Sequence, residues 1–205
     1  EYLASIASDK IYLVSKEDVS FSKNKVNKKG VYKCFPLLPK IKKDLFIKDK
    51  EFNYTNMLII GPFVTEIDTI DLKINLDLIS NVKFIENINF FGKNSNQAKN
   101  ISNFPGEAFE YVDDFDAFFS KNLNIIIYNR INTPGIQTKL QKIIMYNNLV
   151  FCHTGIDVGN ELNSYCYDIN DCINVKDYRR QVKLEDITNA SDNTLNKLKL
   201  IAYDF

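Results

Sequence analysis

Short apolar runs rich in β-branched residues alternate along this chain with segments of helical period. Residues 57–61, 88–92, 123–128 and 149–153 are nearly unbroken apolar strands. Between them Ile67, Ile70, Ile74 and Leu78 mark one helix face, and Phe115, Phe118 and Phe119 mark a short helix. Ile136, Leu140, Ile143 and Ile144 recur at i, i+4, i+7 and i+8, which predicts a helix over 135–146. A strand without polar alternation is buried on both faces, and strands separated by helices pair in parallel. The expectation is therefore an α/β fold, a doubly wound, Rossmann-like parallel sheet spanning residues 56–170.

Smaller elements fill the pattern. Residues 10–15 and 31–35 read as strands, with Ser15 opening a helix and Asp18 three residues on. Residues 37–55 are Lys-rich, carry two prolines and read as a connector. Helices are expected at 94–102 and 157–163, and strands at 108–112 and 165–167. From about residue 175 the chain reads as helical, with Ser191 as a cap before Leu195, Leu198, Leu200 and Ile201.

Composition narrows the function classes. Lys+Arg 26 balances Asp+Glu 26, so no net charge draws the chain to nucleic acid or an anionic surface. Hydrophobic residues make up 45%, too many for disorder to be the main state. The length of 205 residues suits one large domain or one and a half small ones. No apolar run reaches the ~18 residues of a membrane-spanning helix. The basic runs Lys40–Lys43 and Lys48–Lys50 read as solvated loops in a Lys- and Asn-rich chain. The four cysteines are Cys34, Cys152, Cys166 and Cys172. Cys152 reads as a small hydrophobe inside an apolar run, and Cys166 and Cys172 match no common zinc spacing. The expectation is a reduced, cytoplasmic protein.

A doubly wound sheet binds its ligand beyond the carboxyl ends of its strands. Those ends carry Gly61-Pro62, Gly92-Lys93, Asp113-Asp114, Tyr128-Asn129-Arg130 and His153-Thr154-Gly155. Neither G-x-G-x-x-G, G-x-x-x-x-G-K-[ST] nor G-x-S-x-G occurs, so a dinucleotide fingerprint, a P-loop and a nucleophile elbow are absent. The informative segment runs from Tyr128 through Thr133-Pro134-Gly135 into Ile136-Gln137-Thr138-Lys139-Leu140-Gln141. A helix that starts there leaves the N–H groups of Ile136, Gln137 and Thr138 free for an anion, with phosphate the usual one. Lys139 can lay its stem on the core and its ammonium at the mouth of the site. The bland alternative is a capped structural helix with a solvated Lys. His153 reads as a hydrogen-bonded structural residue, and Asp113-Asp114 as a solvated turn. Tyr111 suits either base stacking or core packing.

The stretch Gly135-Ile136-Gln137-Thr138-Lys139-Leu140-Gln141-Lys142-Ile143-Ile144, followed by Leu149-Val150-Phe151, resembles the donor half of GT-B glycosyltransferases, especially the retaining family 4-like group. The blocks Ile11–Ser15, Tyr32–Pro39, Leu58–Gly61, Phe90–Gly92 and 107–119 resemble other blocks of that family, in its order. The resemblance implies the C-terminal half of a GT-B glycosyltransferase. Residues 1–40 would be the tail of the acceptor half and the linker, and 41–205 the nucleotide-sugar domain with its C-terminal helices. It implies transfer of a sugar from a UDP-, GDP- or similar donor to a glycan or lipid, with no metal or other cofactor. Gly61, Gly135, Ile136, Gln137, Thr138, Lys139, Gln141, Tyr111 and Thr154 would bind the donor. Thr133 and Gln141 stand where retaining members carry two acidic residues, and the Gln141 amide can still bond a ribose hydroxyl. The implied partners are the nucleotide sugar and an N-terminal acceptor domain, not nucleic acid. Localisation would be cytoplasmic, at the inner face of a membrane if the full-length protein associates with one. Without the acceptor wall, this chain alone is expected to show no transfer. The alternative is a non-catalytic GT-B-like or other Rossmann-like partner or ligand-binding domain.

Overall fold

The computed structural model describes residues 10–13, 31–34, 43–45, 53–121, 125–133, 137–159 and 162–177. Strands β1 (Lys10–Leu13) and β2 (Val31–Cys34) pair in parallel as a two-stranded sheet. The expected helix at Ser15, most of the 37–55 connector and the C-terminal helical stretch beyond Asp177 lie outside the described residues.

Six strands form the main sheet: β3 (Asn56–Ile60), β4 (Asn87–Phe91), β5 (Ala108–Phe109), β6 (Ile125–Tyr128), β7 (Leu149–Cys152) and β8 (Cys166–Asp168). They lie in the order β5-β4-β3-β6-β7-β8, and every neighbouring pair is parallel. The chain therefore winds outward from β3 to one edge, crosses back, and winds outward from β6 to the other. This is the doubly wound Rossmann-like order, with its switch point between β3 and β6. Helices α1 (Glu66–Ser80), α2 (Ser95–Ile101), α3 (Phe115–Lys121) and α4 (Thr138–Met145) supply the crossovers.

Every residue of Met57–Ile60, Ile125–Tyr128 and Leu149–Cys152 is buried, as unalternating apolar strands require. Side chains of alternate parity feed two cores. Leu58, Ile60, Ile126 and Val150 pack with Phe119 of α3 and Leu140, Ile143 and Ile144 of α4. Met57, Ile59, Ile127 and Phe151 pack with Leu72 and Ile79 of α1, Ala98 of α2, and Ile169 and Cys172 on the opposite face.

Local chemistry sets several boundaries differently from the periodicity. The helix expected over 135–146 starts at Thr138, with Gln137 as a non-helical N-cap. Ala108–Phe109 is the whole of β5, where 108–112 was expected. In place of a helix at 157–163 there is a 3-10 turn at Asn163–Tyr165. Gly159 sits at φ +95, which breaks a right-handed run, and the Asp157 carboxylate accepts from the Gly159 N–H at 2.8 Å and the Asn163 amide at 3.2 Å. A longer 3-10 segment, Ile169–Asp177, follows β8 and packs against α1.

One departure concerns side chains. Helix α1 turns its expected apolar face outward: Ile67, Ile70 and Ile74 are 68%, 50% and 41% exposed. Asp68, Asp71, Leu72, Asn75 and Ile79 are buried instead. The polar groups among them hold hydrogen bonds at the switch point, and a helix can present only one face to the sheet. Cys152, read as a small hydrophobe inside an apolar run, is buried, and its sulfur meets that of Cys166 on β8. The register Val150↔Cys166 and Cys152↔Asp168 places the two cysteines diagonally on one face of neighbouring strands, with Cα atoms 6.7 Å apart. Cys172 is a buried free thiol, its pKa pushed up to about 11 by burial.

Candidate functional site at the carboxyl edge of the sheet

At the switch point the chain leaves β3 through Gly61 and leaves β6 through Asn129. Their N–H groups continue the ladders, to Phe91 O and Ile60 O, each at 2.9 Å. The two strand-end glycines of β3 and β4 nearly touch. A Cβ on Gly92, at φ +131, would lie 2.7 Å from Gly61 O. Gly61 itself is covered by the Phe63 ring, which a Cβ there would meet at 2.6 Å. Phe63 is buried and stands edge-on to Phe90.

The α1 N-terminus holds its own anion. Thr65 and Asp68 form a capping box, and Asp68 Oδ2 accepts from the Thr65 N–H at 3.0 Å and the Val64 N–H at 3.1 Å. Asp68 Oδ1 accepts from Arg130 Nε at 3.0 Å. Burial pushes the Asp68 pKa up, but the Thr65 and Val64 N–H groups and the Arg130 guanidinium outweigh it and hold the carboxyl below its ordinary range. A phosphate at this end would have to displace that carboxylate.

From Asp68 a chain of amides runs under the strand ends. Asn129 Nδ2 donates to Asp68 O at 2.9 Å, and Asn75 Nδ2 donates to Asn129 O at 2.7 Å. Asn75 Oδ1 then faces His153 Nε2 at 2.8 Å. With the Asn75 amide nitrogen committed to Asn129, its oxygen must accept, so Nε2 of His153 carries the proton and Nδ1 keeps its lone pair.

Burial disfavours the imidazolium more than the Asp168 and Asp71 carboxylates favour it, so the His153 pKa is lowered. The folded state then takes up this proton less readily than the unfolded chain. The resulting stability is complete above the ordinary histidine pKa of about 6.5 and is lost as pH falls through the lower folded value. His153→Gln, whose amide can still donate to Asn75, removes this contribution. The melting temperature of the native chain should fall more on acidification from about pH 7 to about pH 5.5 than that of the variant. Parallel melting curves against pH would exclude the assignment.

Beside His153 a pocket of about 220 Å³ opens at the carboxyl ends of β7 and β8. Its lining includes Cys152, His153, Thr154, Asn163, Cys166 and Asp168. Thr154 Oγ1 donates to Asp168 Oδ2 at 2.6 Å, while Asn170 donates to Oδ1 from its N–H at 2.9 Å and its amide at 2.7 Å. The Thr154 hydroxyl and the Asn170 N–H lower the Asp168 pKa.

The α4 N-terminus lies on the other side of the sheet's carboxyl edge. Gly135 and Ile136 fall outside the described residues. The Gln137 N–H, expected free for an anion, donates to Asp157 O at 2.8 Å, because the chain returning from β7 passes directly over it. The Gln137 side chain is also engaged, accepting from Tyr128 OH at 2.9 Å. Thr138 is exposed. Lys139 extends its ammonium over Phe91, 5.3 Å from the ring centroid, at the carboxyl end of β4. Desolvation there lowers its pKa from the usual lysine value. Gln141 is 1% exposed, its Oε1 has no hydrogen-bond partner, and its Nε2 lies 2.7 Å from where a Gly159 Cβ would stand. Thr133 is buried, and Tyr111 is 78% exposed on the loop after β5, which settles it against core packing. Asp114, in the expected solvated turn, caps α3 by accepting from the Ala117 N–H at 3.1 Å.

Along the carboxyl edge Lys139 reaches the end of β4, Gly61 follows β3 and Thr154 follows β7, so these residues lie at separate strand ends. The pocket, however, sits at β7–β8 and includes only Thr154 of the expected set. The Asp68–Arg130 pair and the Asn75–Asn129–His153 chain were not singled out from sequence as partners. The available signal was polar residues on α1 repeating at 68, 71 and 75 opposite its apolar stripe. Among the described residues no group of three or more His, Cys, Asp or Glu is arranged to hold a metal, and no helix is long and apolar enough to cross a membrane. No family model and no curated protein matches this chain.

Proposed function

We propose that this domain binds a nucleotide sugar across the carboxyl edge of its sheet and serves as the donor half of a glycosyltransferase. Lys139 carries the reading: an exposed residue in the first turn of α4 whose ammonium lies over the Phe91 ring, at the strand ends where a doubly wound sheet takes its ligand. Tyr111 offers an exposed ring to the base. Gln141, whose buried Oε1 has no hydrogen-bond partner, supplies an acceptor beside this helix N-terminus. Transfer would then rest on holding the leaving diphosphate and the anomeric carbon in line with an acceptor, and on stabilising the charge that develops. The chemistry needs no metal in this reading, and a cytoplasmic supply of nucleotide sugar goes with it.

A second reading is a Rossmann-like ligand-binding or partner domain without turnover. Asp68 favours it, since its carboxylate already fills the helix N-terminus at the switch point. A thermal-shift series with UDP-, GDP- and CDP-sugars separates the two. At a hundredfold excess over Kd, a ligand of the native state adds about 2.7 kcal/mol, a rise of roughly 5–10 °C for a chain of this size. A shift with one nucleotide class is expected. A flat response to all of them would discard the donor reading.

A further inference from the structure

The pocket at the carboxyl ends of β7 and β8 holds chemistry that a diphosphate does not use. Lys139 stands at the end of β4, three strands from β7 in the sheet order, and is no part of the lining. Thr154 Oγ1 gives its proton to Asp168 Oδ2, 2.6 Å away, and keeps only lone pairs. His153 lines the pocket with its Nε2 proton held by Asn75 Oδ1 at 2.8 Å, so Nδ1 is its remaining polar atom and accepts. Asp168 Oδ1 already receives both N–H groups of Asn170, whereas Oδ2 receives the Thr154 hydroxyl alone and keeps acceptor capacity. Asn163 is committed elsewhere, its Oδ1 to the Val158 N–H at 2.9 Å and its Nδ2 to Asp157 at 3.2 Å. No Lys or Arg stands in the lining to balance Asp168. Burial keeps His153 neutral at pH 7, and the Thr154 and Asn170 hydrogen bonds keep Asp168 ionised.

We propose that this pocket recognises a primary ammonium group, the charged end of a small amine. The ammonium brings three N–H donors and a positive charge to three acceptors, His153 Nδ1, Thr154 Oγ1 and Asp168 Oδ2, and to one unbalanced carboxylate. A neutral hydroxyl brings one donor and leaves the charge uncompensated. An anion such as phosphate finds no free donor among these three and is repelled by Asp168. A hard metal ion wants several oxygen ligands, and the described residues hold no group of three or more His, Cys, Asp or Glu arranged for one. Cys152 and Ile156 in the same lining offer apolar surface to a short aliphatic stem.

The chain has a single His, so the imidazole nitrogens of the isotope-labelled full chain report on this pocket alone. Propylammonium chloride is titrated in at about pH 7.5, above the ordinary histidine pKa of about 6.5, against sodium chloride and calcium chloride of equal ionic strength. The His153 Nδ1 resonance should move saturably, with a midpoint in the millimolar range. Propanol has the same stem without the charge, and tetramethylammonium has the charge without an N–H donor. Each should need at least about tenfold more for the same shift. Asp168→Asn keeps the size of the side chain and removes its charge, and should raise the propylammonium midpoint by about tenfold or more. The ligand series on the native chain decides the matter even if Asp168→Asn does not fold. Absence of a saturable shift would overturn the proposal. So would an equal response to tetramethylammonium, which reports charge attraction only, to propanol, which reports an apolar cleft, or to either metal salt. An unchanged midpoint in folded Asp168→Asn would overturn it as well.

Discussion

Lys139→Ala is expected to weaken nucleoside-diphosphate binding about ten- to a hundredfold while barely changing nucleoside binding. A charge-assisted hydrogen bond contributes about 1.5–3 kcal/mol, which is that range in affinity. The ammonium sits over Phe91 at the strand ends, within the edge where a phosphate would be held. The lowered lysine pKa adds a second signature. A bound anion favours the charged ammonium, so binding takes up protons, and affinity falls as pH rises through the pKa of the free protein's Lys139. Titration calorimetry of the diphosphate and the nucleoside, in buffers of different ionisation enthalpy, reads both effects. An equal loss for the two ligands would end the phosphate role of Lys139. Lys142, three residues on, is the internal contrast. Its ammonium already pairs with Asp116 Oδ1 at 2.6 Å, so Lys142→Ala should leave the diphosphate affinity nearly unchanged.

Gly92→Ala is expected to destabilise the domain by about 3 kcal/mol, lowering the melting temperature by roughly 6–12 °C. Two costs combine. Gly92 has φ +131, a conformation that an L side chain adopts only under strain, and its Cβ would press to 2.7 Å from Gly61 O. That oxygen belongs to the backbone turn leaving β3, whose N–H is bonded to Phe91 O, so it cannot swing aside cheaply. Gly155→Ala separates the terms. Gly155 has φ +97 but no atom within 4 Å of its would-be Cβ, so only strain applies, about 1–2 kcal/mol. Denaturant melts of the two variants should differ by the contact term. Equal losses would show that β3 and β4 do not approach so closely at their carboxyl ends.

The site was partly legible because some of its chemistry is local. Lys139 follows a strand end and opens a helix, and both facts are written within a dozen residues. The strand ends themselves, Gly61, Gly92 and Thr154, could be read from where apolar runs stop. The pairing of His153 with Asn75 could not, since the partners are 78 residues apart. The contact between Arg130 and Asp68, separated by 62, was equally hidden. The state of the Gln137 N–H depended on Asp157 arriving from the next crossover, which no helix-capping rule anticipates.

The sequence by itself determined the fold class. Unalternating runs such as Met57–Ile60 and Ile125–Tyr128 can be satisfied only by burial on both faces, and the intervening helices force parallel pairing. It also determined that one side of α1 is aliphatic, but periodicity says nothing about which side meets the sheet. Tertiary structure decided that. Asp68, Asp71 and Asn75 found partners at Arg130, the Ile131 N–H and Asn129, and so the isoleucines were left outside. The same holds for Cys152, whose sequence neighbours make it a core residue and whose register against β8 brings it beside Cys166. Hydrophobic period is a property of a few consecutive residues, whereas a hydrogen-bond partner or a strand neighbour is chosen only when distant segments are brought to the same edge.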